Sequence, residues 1–148
     1  MEKIPKFKIS LIDGSDFVSF AIKTKTILFF YPKAMTPGCT IEVNDFQKHY
    51  KKFQDLGFTI IGCSKDTIEN NIKFSNKHKL NYLLGSDNNN VCEKLGIWVE
   101  KNMYGKKYFG IERSTFMFDS AGNLFKKWNK VKVNNHVDEV LNFAKKCT

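Results

Sequence analysis

A buried strand, a loop and a helix follow one another at residues 26–46, TILFFYPKAMTPGCTIEVNDF, and this stretch decides the fold. The continuous apolar run at residues 26–31 has the pattern of a strand that is buried on both faces of a parallel sheet. Residues 32–38 read as a loop, and the apolar residues from Val43 to Phe53 then recur at helical spacing. Strand, loop and helix in this order predict one unit of an α/β fold.

Further strands and helices are predicted on both sides of this unit. Apolar runs predict strands at residues 17–20, 58–63, 82–84, 113–118 and 124–128. Helical spacing of apolar residues predicts helices at residues 66–80, 91–95 and 137–144. Two successive strand–helix units imply parallel strands, and the late hairpin adds antiparallel ones. We therefore predict an α/β protein of the thioredoxin-like class, with a central mixed sheet, flanking helices and a single domain over residues 1–148.

The composition indicates an ordinary globular protein. The chain has 148 residues, of which 42% are hydrophobic and 26% charged. No apolar run approaches the roughly 18 residues that a membrane span needs. The first residues lack the apolar segment and the small-residue cleavage site of a secretory signal. We expect a soluble, cytoplasmic protein with no membrane partner.

The net charge of +9 is carried almost entirely by lysine. Of the 24 basic residues 23 are lysines, and the only arginine is Arg113. The lysines are spread along the whole chain, with no run longer than two. A nucleic-acid-binding protein would normally also use arginine for bidentate contacts to bases and phosphates. The charge is therefore interpreted as a solvated lysine surface, and no nucleic-acid partner is predicted.

The four cysteines, at positions 39, 63, 92 and 147, do not form a disulfide framework or a Cys-x-x-Cys pair. Zinc needs three or four ligands at workable spacing, and the three histidines lie far from every cysteine in sequence. No metal and no cofactor are predicted.

Cys39 is the candidate reactive group. Thr36 suits a helix N-cap and Pro37 suits the first helical position, so Cys39 falls in the first turn of the helix. The unpaired backbone N–H groups and the positive end of the helix dipole favour a thiolate there. The alternative is an inert cysteine in the apolar core.

Two stretches of the chain resemble one known family. The pattern Pro32-x-x-x-Thr36-x-x-Cys39 is similar to the active-site signature of the peroxiredoxins. The wider text around it resembles the bacterioferritin comigratory protein, or peroxiredoxin Q, subfamily, and so does a second stretch, residues 98–116. This second stretch reads Trp98-x-x-Lys101-x-Met103-Tyr104-Gly105-Lys106-Lys107-Tyr108-x-Gly110-Ile111-x-Arg113-Ser114-Thr115-Phe116. The resemblance covers residues 5–146.

The resemblance implies a thiol-dependent peroxidase with a defined set of catalytic residues. Cys39 would attack a hydroperoxide and become a sulfenic acid. Thr36 would hold the thiolate and the peroxide, and Pro32 would shield the sulfur from water. Arg113 would stabilise the thiolate and the departing oxygen, because its antiparallel strand begins at the edge of the sheet where Cys39 lies. Glu42 would either brace Arg113 or serve only as an acidic residue in the first helical turn.

The chain departs from the subfamily at the resolving cysteine. The two usual positions of that thiol correspond to Asn44 and Ser75. Cys63 and Cys92 are interpreted as core residues, and Cys147 should lie at the far end of the last helix. We therefore predict a one-cysteine cycle. The second choice is Cys92 or Cys63 as the resolving thiol after local unfolding.

The implied partners are small molecules and reducing proteins. The substrate would be hydrogen peroxide or an organic hydroperoxide. The reductant would be thioredoxin, glutaredoxin or a low-molecular-weight thiol, and the protein would be a monomer. The alternative function is a thioredoxin-fold peroxide sensor or holdase without efficient turnover, which the missing resolving cysteine favours.

Overall fold

A mixed sheet with helices packed against it forms the framework of the molecule. The computed structural model describes residues 4–147. Its strands are β1 (Lys8–Leu11), β2 (Asp16–Val18), β3 (Lys25–Phe30), β4 (Phe58–Ser64), β5 (Leu83–Ser86), β6 (Trp98–Met103), β7 (Lys106–Ile111), β8 (Ser114–Phe118) and β9 (Leu124–Trp128). Its helices are α1 (Pro37–Lys48), α2 (Tyr50–Asp55), α3 (Ile68–His78), α4 (Val91–Lys94) and α5 (His136–Lys146). Among residues 4–147 there is no helix with the length and apolar character needed to cross a membrane.

The sheet order is β2-β1-β5-β4-β3-β8-β9. Strands β3, β4 and β5 are parallel, whereas β1, β2, β8 and β9 join by antiparallel pairing. The prediction of an α/β fold with a central mixed sheet is confirmed. Parallel strands carry their carboxyl ends to one edge of the sheet, and loops at that edge form the binding sites of such folds.

The apolar run at residues 26–31 contributes side chains to two cores. Ile27 and Phe29 point into the core beneath α1, α2 and α5, and Phe29 stacks on Phe46 of α1 with ring centroids 4.3 Å apart. Leu28 and Phe30 point into the core on the opposite face. Both faces of β3 are therefore covered, which explains why the run does not alternate with polar residues.

The helix predicted from Val43 to Phe53 is interrupted. Helix α1 ends at Lys48 and α2 begins at Tyr50, because His49 has φ −102° and ψ 8° and leaves helical geometry. The His49 imidazole contacts Asp138 of α5 at 3.0 Å. The apolar spacing continues across the break, so the sequence pattern did not reveal it.

Three further elements differ from the prediction. The strand expected at residues 17–20 ends at Val18 because residues 19–21 form a 3₁₀ turn. Strand β1 was not predicted, and neither was the antiparallel pair β6 and β7. This second hairpin turns at Tyr104 and Gly105, which both have positive φ, 53° and 79°. Two such residues make a tight hairpin turn that usually has asparagine or aspartate in the first position. Because this chain has a tyrosine there, the sequence pattern does not indicate a turn.

Candidate active site

Cys39 lies at the carboxyl edge of the parallel strands, in the first turn of α1. Pro37 is the first residue of this helix and Thr36 has the extended backbone of an N-cap, as predicted. The Thr36 hydroxyl does not cap the helix, however, but donates to the Lys33 carbonyl at 2.7 Å. The sulfur-bearing side chain is buried, with 1% of its surface exposed. Access to the sulfur therefore depends on the loop and the elements around it.

The Arg113 guanidinium contacts both Cys39 and Glu42. Its Nη2 lies 3.4 Å from Cys39 Sγ, and its Nη1 lies 2.6 Å from Glu42 Oε1. Ser114 pairs with Phe30, so β8 begins where β3 ends, and Arg113 reaches Cys39 across 74 positions of sequence. The expected proximity of Arg113 to Cys39 is present, and Glu42 contacts the guanidinium.

Burial controls the charges of this group. Glu42 is fully buried and only 14% of the Arg113 side chain is exposed. Burial raises the pKa of Glu42 to about 7, and the attraction of Arg113 compensates only in part. Among the described residues Glu42 Oε2 has no hydrogen-bond partner. Burial would lower the pKa of Arg113, but Glu42 and Cys39 outweigh it and hold that pKa above its ordinary value. Arg113 therefore remains a cation.

Gly38 leaves room for the guanidinium. A Cβ at this position would lie 3.3 Å from Arg113 Nη2, which is a tight contact in a packed interior. The residue before the cysteine thus needs to be small for Arg113 to reach the sulfur.

Helix α1 is tied to the structure along its length. The Tyr82 hydroxyl donates to the Val43 carbonyl at 2.7 Å. Asn44 Nδ2 donates to the Thr40 carbonyl and lies 3.2 Å from His78 Nδ1. Asn44 stands where the usual resolving cysteine would be, so in this chain that position connects α1 to α3.

A cleft of about 680 Å³ opens over Cys39. The residues that line it include Pro32, Thr36, Cys39, Asp66, Trp98, Lys101, Tyr108, Phe109 and Arg113. One wall is the hairpin of β6 and β7, which the sequence analysis did not assign a structure. Of the residues lining the cleft, Met103 and Phe109 are large apolar side chains that are more than half exposed. The cleft can admit a small molecule or a protein side chain to the sulfur.

Lys101 and Asp66 are site residues that sequence reasoning missed. Lys101 belongs to the second family-like stretch, which was the available signal, but no role was attached to it. Asp66 Oδ2 accepts hydrogen bonds from the Ala34 backbone N–H and the Ser64 hydroxyl, both at 2.7 Å. The sequence pattern predicts a helix start at Asp66, but α3 begins at Ile68, and Asp66 instead fixes the loop that precedes Cys39.

The structure does not bring the other three thiols to Cys39. Cys63 and Cys92 are fully buried in the core on the opposite face of the sheet. Burial raises the pKa of both thiols well above the ordinary value. Cys147 is exposed at the end of α5. Within residues 4–147 no group of His, Cys, Asp and Glu side chains is arranged to hold a metal ion.

Comparisons with known proteins agree with this geometry. Residues 1–127 match the sequence model of the AhpC/TSA family. The chain is 48% identical to the peroxiredoxin Bcp of Bacillus subtilis (strain 168) over 120 residues, which cover 80% of this chain and 76% of the relative. It is 42% identical to a putative peroxiredoxin bcp of Coxiella burnetii over 142 residues, covering 95% and 94% of the two chains.

A solved structure of a related protein also resembles this chain. The bacterioferritin comigratory protein of Xanthomonas campestris, described in work on its alkyl peroxide reduction activity, superimposes with a TM-score of 0.87 at 37% identity. The match covers 95% of this chain and 90% of that one, and it confirms the thioredoxin-like class. The position of Cys39 at the helix start and the contact of Arg113 with its sulfur agree with these relatives. The chain therefore belongs to the AhpC/TSA family, in its bacterioferritin comigratory protein, or peroxiredoxin Q, group of thiol peroxidases.

Proposed function

We propose that the protein reduces hydrogen peroxide and organic hydroperoxides through a sulfenic acid on Cys39. The contact of 3.4 Å between Arg113 Nη2 and Cys39 Sγ, at the base of an open cleft, carries this proposal. At this distance the guanidinium N–H donates to the sulfur, which is the nucleophile of the proposed reaction.

The chemical step is a displacement at oxygen. The Cys39 thiolate attacks the terminal oxygen of the hydroperoxide, so that an S–O bond forms while the O–O bond breaks. The bonding electron pair leaves with the second oxygen as hydroxide or alkoxide, which takes up a proton and departs as water or alcohol. Cys39 is oxidised to the sulfenic acid and the hydroperoxide is reduced.

Arg113 is proposed to stabilise the charge as it moves from sulfur to the departing oxygen. Because Glu42 holds Nη1, the planar guanidinium is fixed with Nη2 directed at the sulfur. Donors that are already in place when charge develops are the most effective form of electrostatic catalysis. Glu42 therefore acts as a positioning residue rather than as a simple first-turn acid.

Thr36 and Pro32 are proposed to orient and shield the reactants. The Thr36 hydroxyl donates its hydrogen bond to the Lys33 carbonyl, so its oxygen is available to accept a hydrogen bond from the O–H of the hydroperoxide. Pro32 lines the cleft beside Cys39 and has no backbone N–H that would hold water there.

The sulfenic acid is proposed to be reduced by an external thiol: thioredoxin, glutaredoxin or a low-molecular-weight thiol. The burial of Cys63 and Cys92 on the other face of the sheet supports a one-cysteine cycle over either thiol as the resolver. The four cysteines are free thiols in the structure, which fits a reducing compartment such as the cytoplasm. We also propose that the protein acts as a monomer, without a nucleic-acid or membrane partner.

Turnover of peroxide tests the function. Cys39→Ser is expected to lose hydrogen peroxide consumption entirely, because no other described thiol lies at the site. Cys147→Ser is the matched control, since Cys147 is exposed at the end of α5 and does not line the cleft, and it should retain full activity. The assay uses thioredoxin, glutaredoxin with glutathione, or dithiothreitol, each supplied separately. Equal activity of Cys39→Ser and wild type would contradict the proposal. Oxidation of one equivalent with no turnover under any reductant would favour the peroxide sensor or holdase.

Mass spectrometry tests the one-cysteine cycle. After one equivalent of hydrogen peroxide in the presence of dimedone, the adduct is expected on Cys39 alone, because Cys63 and Cys92 cannot reach it in the folded protein. The variant Cys39→Ser should give no adduct. A disulfide between Cys39 and Cys63 or Cys92 as the main product would refute this cycle.

The raised pKa of Glu42 predicts a pH-dependent stability. Burial raises this pKa from 4.5 to about 7, so the folded protein holds a proton that the unfolded chain releases between these values. This contribution to stability is present below about pH 4.5 and is lost as the pH rises through about 7. Glu42→Gln cannot titrate, yet its amide oxygen can still accept from Arg113. Between about pH 5 and pH 8 the free energy of unfolding of Glu42→Gln, relative to that of the wild type, should therefore rise by up to roughly 3 kcal/mol.

Urea unfolding at both pH values measures this gain. Glu69→Gln, at an exposed position in the first turn of α3, is the control and should show no such change. A constant difference between Glu42→Gln and wild type would show that Glu42 stays ionised in the folded protein.

A further inference from the structure

Lys101 enters the cleft from the hairpin wall. It is half-buried on β6, and its Nζ donates to the Ile111 carbonyl at 2.6 Å. Ile111 stands two residues before Arg113 on the chain, and Lys101, Arg113 and Cys39 line the same cleft. One of the three donors of the ammonium is therefore fixed on the protein, and two remain for the cleft.

Gly110 gives Lys101 its path across the hairpin. Tyr108, not Ile111, is opposite Lys101 in the strand register, so the side chain has to cross β7 to reach the Ile111 carbonyl. A Cβ at Gly110 would lie 3.3 Å from Lys101 Cδ and 3.4 Å from Cε. The missing side chain at Gly110 forms a channel for the lysine stem.

Lys101 differs from the other lysine that is partly buried in the cleft. Lys65 pairs with Asp87 at 3.4 Å and with Glu93 at 2.9 Å, and lies over the Trp98 ring. Lys101 makes no ion pair with any of residues 4–147. The titratable groups that face it are Arg113, Glu112 and Cys39, and burial followed by the repulsion of Arg113 lowers the pKa of its ammonium. It is therefore a better proton donor than an ordinary lysine.

The proposed reaction needs a proton that Arg113, Thr36 and Glu42 do not offer. The pKa of Arg113 is held above its ordinary value, so the guanidinium keeps its protons. The Thr36 hydroxyl is engaged with the Lys33 carbonyl. Glu42 is fully buried on the far side of the guanidinium and does not line the cleft.

We propose that Lys101 is the general acid that protonates the departing oxygen; this inference rests on the proposed peroxidase function. As the O–O bond breaks, the leaving hydroxide or alkoxide takes a proton from the Lys101 ammonium and departs as water or alcohol. The neutral amine then regains a proton from solvent. Arg113 stabilises the charge, and Lys101 removes it.

A series of oxidants with different leaving groups tests the role. Hydroxide and tert-butoxide are poor leaving groups because water and tert-butanol are very weak acids, so both need the proton. Acetate, the leaving group of peracetic acid, derives from a carboxylic acid and does not. For Lys101→Met, the rate constant of Cys39 oxidation should fall by about 10²-fold with hydrogen peroxide and tert-butyl hydroperoxide, as for the loss of a general acid. With peracetic acid it should stay unchanged.

Three further variants sharpen the experiment. Lys107→Met removes the same charge from the exposed side of the same hairpin, where Lys107 lies 3.8 Å from Glu100, and should change no rate. Lys101→Arg keeps the charge but cannot release a proton, so it should be slow with tert-butyl hydroperoxide and normal with peracetic acid. Gly110→Ala presses on the lysine stem and should shift the rates in the same direction as Lys101→Met.

The outcomes separate the two proposals. Equal losses with all three oxidants in Lys101→Met, or full activity of Lys101→Arg with tert-butyl hydroperoxide, would show that Lys101 contributes charge only and would overturn the inference. Unchanged rates in Lys101→Met would overturn it as well. Failure of the wild-type protein to react with any oxidant would instead refute the peroxidase function itself.

Discussion

The buried contact between Arg113 and Glu42 is the constraint on which the site depends. A buried carboxyl group and a largely buried guanidinium are costly to remove from water unless they hold each other. Their contact at 2.6 Å fixes the guanidinium with its second nitrogen 3.4 Å from Cys39 Sγ. The rest of the fold supplies what this pair requires: an antiparallel β8 that begins beside the end of β3, and a glycine at position 38 that lets the guanidinium approach.

The sequence was most informative where local chemistry and topology act together. The position of Cys39 in the first helical turn follows from the Thr-Pro-Gly segment before it, and the meeting of Arg113 with Cys39 follows from the direction of β8. The family-like stretches were needed to assign roles, because spacing alone left Cys39 open as a core cysteine and Glu42 open as a first-turn acid. The contact between Glu42 and the Arg113 guanidinium supports the proposal that Glu42 is a brace.

The features that could not be predicted depend on contacts between distant residues. The break at His49 coincides with a contact to Asp138 on α5, which leaves no trace in the apolar spacing of the helix. The β6 and β7 hairpin lies outside the main sheet and is mostly exposed, so it lacks the alternation of a half-buried strand. Lys101 acquires its position only through this hairpin and the absence of a side chain at Gly110. In the sequence it is one of 23 lysines.

The single arginine is significant because the other 23 basic residues are all lysines. Lysine offers a mobile point charge, whereas the planar guanidinium can hold Glu42 and face Cys39 at once. The rate constant of Cys39 oxidation by hydrogen peroxide in Arg113→Lys, measured by stopped flow, tests this most directly. The variant keeps the net charge, and its rate constant should be lower by about 10²–10³-fold, as for the loss of a preorganised donor. A rate constant equal to that of the wild type would contradict the account.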